Sequence, residues 1–105
     1  MTFKEVSSNF DRKNVAPFLS RLPPLIESGF SSQQVSQVVG SMDELKRKQE
    51  KDFEFPIRFR GAPATLKIKV VMDDIDSPNL YFFTTPALAD LIDGDLRRFL
   101  EEHGL

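Results

Sequence analysis

The chain has 105 residues, 40% of them hydrophobic and 29% charged, with a formal net charge of −2; this is the balance of a folded globular chain, and its length predicts a single compact domain over residues 1–105. It contains no Cys, which excludes disulfide frameworks, thiolate zinc centres and cysteine nucleophiles. The charge is unevenly placed: residues 53–72 carry Arg58, Arg60, Lys67 and Lys69 against Glu54 alone, whereas residues 73–105 carry two basic against eight acidic groups.

The opening MTFKEVSSNFDRKN puts charges where a secretion signal needs an apolar run, and no window approaches the roughly 20 apolar residues that cross a bilayer. A soluble, cytoplasmic protein without membrane contact is expected. Thr2–Val6 is compatible with a short strand. Asn14 is placed to cap a short helix running to Leu22, with Pro17 at its third position, where no intrahelical bond is lost. Pro23 and Pro24 end that helix. Pro24 then starts a short turn, Leu25–Ser28, closed by Gly29 in the left-handed conformation.

The best-signalled helix follows. Ser31 fits its N-cap, Gln34 completes a capping box, and Phe30 with Val35 forms a hydrophobic staple. Val35, Val38, Val39, Met42 and Leu45 recur at helical spacing as one apolar stripe. The polar run KRKQEKD after Leu45 reads as one or two solvated final turns. Phe53, Phe55, Ile57 and Phe59 then alternate with polar residues, as do Leu66, Ile68, Val70 and Met72. With the turn Gly61-Ala62-Pro63 between them, this predicts a β-hairpin over 53–72. Pro56 cannot donate a ladder bond, which places 53–60 at a sheet edge or in a bulge. Residues 73–79 form a loop. LYFFTT, residues 80–85, is apolar on both faces and so suits a central strand. Thr85 and Pro86 open a last helix with Leu88, Leu91, Ile92, Leu96, Phe99 and Leu100 on its buried stripe; Gly94 interrupts it and Gly104 closes it. The fold class is therefore α+β: two or three N-terminal helices, a three-stranded antiparallel sheet (hairpin 53–72 plus strand 80–85) and a C-terminal helix, with the helices on one face of the sheet.

Gly29, Phe30, Ser31, Val35, Ser36 and Val38 stand in the register of the turn and second helix of helix-turn-helix repressors, and over about fifteen residues the segment resembles that family. The resemblance implies base reading by a helix-turn-helix-like segment 25–39 through Ser32, Gln33, Gln34, Ser36 and Gln37, since Gln pairs bidentately with adenine, with the basic hairpin as a wing. Leu25 stands where the family has a small residue, and Pro23-Pro24 fall where its first helix is continuous. A second surface is the outer side of the hairpin. Arg58, Arg60, Lys67 and Lys69 alternate outward; with Tyr81 or Phe83 on the same surface they make an aromatic-plus-basic platform.

Other signals are thin. Asp73, Asp74, Asp76 and Asn79 lack the spacing of a calcium loop and read as ordinary turn chemistry. Arg21-Leu22-Pro23-Pro24-Leu25 is a helix junction rather than a free proline-rich ligand. His103 sits at a helix end, where a cation suits the dipole. Asp90 and Asp93 face solvent, and no phosphate-cradling glycine loop, zinc-protease motif or nucleophile elbow occurs. The expectation is a non-enzymatic protein-binding or regulatory module without metal or cofactor. It acts on a protein partner or a second copy through the sheet edge and a surface of Arg58, Arg60, Lys67, Lys69 and Tyr81. Nucleic-acid binding through 25–39 is the alternative.

Overall fold

A computed structural model describes residues 3–103. Its elements are β1 (Lys4–Asn9), α1 (Arg12–Leu19), a 3-10 turn (Pro23–Leu25), α2 (Ser32–Glu44), β2 (Glu50–Phe59), β3 (Ala62–Val71), β4 (Asn79–Thr84) and α3 (Pro86–Glu102). The protein is α+β, with three helices and a four-stranded antiparallel sheet in the order β1-β4-β3-β2.

The sheet has four strands where three were expected. β1 pairs with β4 from Lys4↔Thr84 to Asn9↔Asn79, so the weakly patterned start of the chain is recruited by a strand far along the sequence. Thr2, the expected start of that strand, lies outside the described residues. β4 is central, as its two apolar faces require, and β2 is an edge, as Pro56 requires.

β2 also starts three residues before the hairpin expected from Phe53. The run 46–52 is not helical: α2 stops at Glu44, and Lys48 N–H donates to Met72 O while Met72 N–H donates to Gln49 O at 2.9 Å. Ladder bonds override the helix propensity of KRKQEKD. The hairpin turn is Arg60-Gly61 rather than Gly61-Ala62-Pro63, with φ of 52° and 77°. Positive φ at both central residues is the type I′ signature, whose twist matches that of the strands.

Register explains both hairpin prolines. Arg58 N–H donates outward to Ser28 O at 3.0 Å, and Arg58 O accepts from Glu27 N–H at 2.9 Å. Alternation then points the backbone groups of Pro56, Glu54, Asp52 and Glu50 away from β3 as well. Pro56↔Thr65 and Arg58↔Pro63 are consequently the non-bonded pairs of the ladder, and neither proline costs it a bond.

The helices depart from expectation in their ends. α1 begins at Arg12 rather than after an Asn14 cap; Asn14 is a buried interior residue and Asp11 is the cap. The 73–79 loop supplies the reason, because Arg12 N–H donates to Asp76 O at 2.9 Å and Phe10 N–H to Pro78 O at 2.9 Å. Pro17 therefore lies in the second turn and does remove one intrahelical bond. Only Pro23–Leu25 is helical, as a 3-10 turn, before Gly29 at φ 93°. α2 carries the expected capping box, in which Ser31 N–H donates to Gln34 Oε1 at 2.9 Å. Thr85 is the N-cap of α3 and Pro86 its first residue, but Thr85 makes no side-chain cap bond and its Oγ1 is buried without a partner among the described residues. α3 runs unbroken through Gly94, and the expected stop at Gly104 lies outside the described residues.

One sheet face is apolar and buried: Val6, Phe55, Ile57, Phe59, Leu66, Ile68, Val70, Leu80 and Phe82 join Phe18, Val35, Val38, Met42, Leu88, Ile92 and Phe99 from the helices in one cluster. Val35 and Val38 thus point inward with Phe55 and Ile68, as the helical stripe and the alternation demanded. The opposite sheet face is left without a helix.

Two glycines should respond oppositely to a methyl group. A Cβ on Gly94 meets nothing within 4 Å, so Gly94→Ala is expected to raise unfolding free energy by about 1 kcal/mol. A Cβ on Gly29 would lie 2.4 Å from Pro56 O at positive φ, so Gly29→Ala should lower it by at least about 1 kcal/mol. Urea denaturation of the two variants checks the sign of each.

Candidate functional site

The uncovered face is built in cross-strand rows. Glu5, Phe83, Lys67 and Glu54 lie side by side across β1, β4, β3 and β2; the next row is Ser7, Tyr81, Lys69 and Asp52; the third is Asn9, Asn79, Val71 and Glu50. Each lysine therefore sits between an aromatic ring and a carboxylate. Tyr81, Phe83 and Val71 are half-exposed. Phe3 adds a further ring, 37% exposed, with Lys67 Nζ 5.3 Å from its centroid. Lys69 Nζ lies 3.4 Å from Glu50 Oε1. A shallow hollow of about 420 Å³ lies over Lys67 and Lys69, between Asp52 and Glu54 on one side and Phe83 on the other. The third row is internally satisfied, since Asn9 Nδ2 donates to Asn79 Oδ1 at 2.8 Å and Asn79 Nδ2 to Asp73.

The fold thus gathers Lys67, Lys69 and Tyr81 on one surface and adds Phe83. It does not gather the arginines with them. Arg58 stands at the far end of β2, donating to Gly61 O at 2.9 Å with its Nε 3.6 Å from Glu27. Arg60 is in the hairpin turn, 5.0 Å above the Phe59 ring. The expected positive strip is a mixed surface instead: Glu5, Glu50, Asp52 and Glu54 outnumber Arg58, Lys67 and Lys69. Adding charges along the sequence hid this, because the neutralising carboxylates come from the strand beside the lysines. Continuing the strand pattern back to Glu50 was the signal that would have revealed them.

The edge of β2 is divided. The segment 27–28 bridges to Arg58, and Gly29 packs on the backbone of Pro56 and Ile57. Upstream of Pro56, the outward backbone groups of Glu50, Asp52 and Glu54 take no backbone partner among the described residues.

The residues expected to read bases fall on α2. Ser32, Gln33, Ser36 and Gln37 are exposed, and Gln34 is occupied in the capping box. A helix-turn-helix unit is not formed. Before Gly29 there is only the three-residue 3-10 turn, then extended chain that pairs with β2; two successive prolines and the Arg58 bonds hold it out of a helix. Ser36 and Gln37 instead line a groove of about 390 Å³ with Gly40, Glu44, Lys51 and Phe53, between α2 and β2.

The remaining polar groups pair mostly with one another or with nearby backbone. In the 73–79 loop, Asp76 N–H donates to Asp74 Oδ1 at 3.1 Å, and no group of three or more metal-ligating side chains occurs among the described residues. Asp90 pairs with Lys4 and Asp93 with Arg97; the Asp90 carboxylate raises the Lys4 pKa above its ordinary value, so the Lys4 ammonium keeps its charge to a higher pH than a free lysine. His103 Nδ1 lies 2.9 Å from Phe99 O at the end of α3. Asp95, with its side chain only 9% exposed, is 3.1 Å from Arg21, which also binds Glu102 at 2.6 Å. No helix among the described residues is long and apolar enough to cross a membrane.

No protein family, curated protein or solved structure matches this chain.

Asp95 Oδ2 has no hydrogen-bond partner among the described residues, so its charge is balanced through Oδ1 alone, by Arg21 at 3.1 Å and by the more exposed Arg98 at 3.4 Å. Arg21→Ala is expected to destabilise by about 1–3 kcal/mol, and Asp95→Asn in the Arg21→Ala background should recover part of that loss. Chemical denaturation of the single and double variants measures both.

Proposed function

We propose that the protein is a small non-enzymatic, cytoplasmic protein-binding or regulatory module whose contacts are made by the uncovered sheet face and the adjoining edge of β2. The observation that carries this reading is the composition of that face. An antiparallel sheet with one wet side ordinarily turns polar residues outward. Here Phe3, Tyr81, Phe83 and Val71 are turned outward around Lys67 and Lys69. Aromatic rings beside a few charges are what the centre of a protein interface is made of, with Tyr and Phe supplying contact area at small entropic cost. Sheet-face rows that contain both signs also suit a protein surface or a second copy better than a polyanion.

Base stacking on Tyr81 and Phe83 is the competing use of the same platform. It has a weak electrostatic half, since carboxylates outnumber cations on this face and repel the phosphates that Lys67 and Lys69 would contact. The chain immediately before Gly29 gives α2 a 3-10 turn in place of the first helix of a helix-turn-helix unit.

A photo-activatable benzophenone amino acid at position 81, irradiated in the protein's own cells, is expected to give discrete protein adducts that survive nuclease. With Lys67→Glu and Lys69→Glu present, their yield should fall roughly tenfold as the steering charges reverse. Nuclease-sensitive adducts, or none beyond those from the same probe at exposed Lys13, would end this reading.

A further inference from the structure

We infer that the edge of β2 from Glu50 to Glu54, with the groove between β2 and α2, receives an extended peptide carrying Lys or Arg at alternate positions and small apolar residues between them. This rests on the protein-binding reading above and names the chemistry of the partner segment.

Three features converge on one place. The first is backbone: Glu50, Asp52 and Glu54 direct N–H and C=O groups away from β3 and find no backbone partner among the described residues. A peptide laid along them extends the sheet by one strand. Pro56 offers no N–H, and Gly29 covers the backbone beyond it, so the usable edge is five residues, about 17 Å.

The second feature is charge. The side chains on the outward-bonding residues are all carboxylates, exposed and on the wet face; Asp52 and Glu54 stand beside Lys69 and Lys67 on the β3 side, but among the described residues Glu50 alone of the three closes an ion pair, with Lys69. An added strand sets its own side chains directly opposite, where opposite charges stabilise and like charges repel. Basic residues at alternate positions answer that row. A second copy does not: β2 against β2 opposes carboxylate to carboxylate, and β1 presents Glu5, Ser7 and Asn9 on the corresponding side.

The third feature is the groove. The residues between the basic ones point to the other side of the sheet, toward Phe53, half-buried beneath Lys51, and toward Ser36 and Gly40 on α2. Gly40 lies inside a helix, where glycine costs about 1 kcal/mol relative to alanine, and a Cβ there would meet nothing within 4 Å. Packing within the chain does not ask for glycine at this position, any more than at Gly94; what distinguishes Gly40 is that it lines the groove, where its missing side chain leaves room for one from the added strand.

The probe is a capped seven-residue peptide alternating Lys and Val, titrated into the 15N-labelled full chain. Saturating amide shifts at residues 50, 52 and 54 and at Gly40 are expected below about 1 mM. Binding should weaken roughly tenfold or more in Asp52→Lys/Glu54→Lys and in Gly40→Leu, which fills the groove. A Glu/Val peptide of the same length should leave the spectrum unchanged, and dispersed spectra of both variants establish that they fold. No shift at millimolar peptide overturns the proposal. So do shifts centred on Tyr81 and Phe83, which would leave the sheet-face reading standing. Protection of the edge amides that rises with protein concentration, without peptide, overturns it in favour of a second copy. Conversely, edge binding with no cross-link from position 81 removes the sheet face and keeps the edge.

Discussion

Phe18 is the contact on which the rest of the molecule depends. Its ring lies 5.3 Å from Phe10, 5.9 Å from Phe82 and 5.4 Å from Phe99, tying the end of β1, the centre of β4 and the last turns of α3 to one point on α1. Tilted and edge-on aromatic pairs add about 0.5–1.5 kcal/mol each beyond the area they bury. The consequence is directional. α1, α2 and α3 all turn their apolar stripes to the same side of the sheet, and nothing apolar on the helices remains to shield the other side. The exposed rings of that far side follow from where the core was placed.

What the sequence disclosed was mostly local. Ser31 and Gln34 announce the start of α2, the alternating phenylalanines announce β2, and Thr85-Pro86 announces α3, because caps and periodicity act over a few residues. Proline and double-sided hydrophobicity went further, ranking β2 as an edge and β4 as central. What stayed hidden was non-local. β1 has little pattern of its own and becomes a strand because β4 lies open beside it. Residues 46–49 have a good helical composition and lose it to the bonds with Met72. Asn14 looks like a cap, but loop carbonyls from Pro78 and Asp76 start the helix earlier.

The surface chemistry followed the same division. Lys67, Lys69 and Tyr81 were readable as outward residues from strand period alone. That Asp52 and Glu54 stand beside the lysines required the register, which the Arg60-Gly61 turn fixes. The hairpin is basic when its own residues are summed, yet each of its lysines stands beside a carboxylate in space. The helix-turn-helix likeness has a related origin: its matching residues are those of a well-capped helix, and they carry no information about what precedes Gly29, where the chain forms a 3-10 turn.

The partnership between β1 and β4 has a bearing on how the molecule is made. Residues 4–9 meet residues 79–84, so during translation the first strand leaves the ribosome with its mate still unwritten. At synthesis rates of about 5–20 residues per second, it waits several seconds before it can close the sheet. Throughout that interval α1 has no finished floor to rest on, because Phe82, one of the rings against Phe18, has yet to be made.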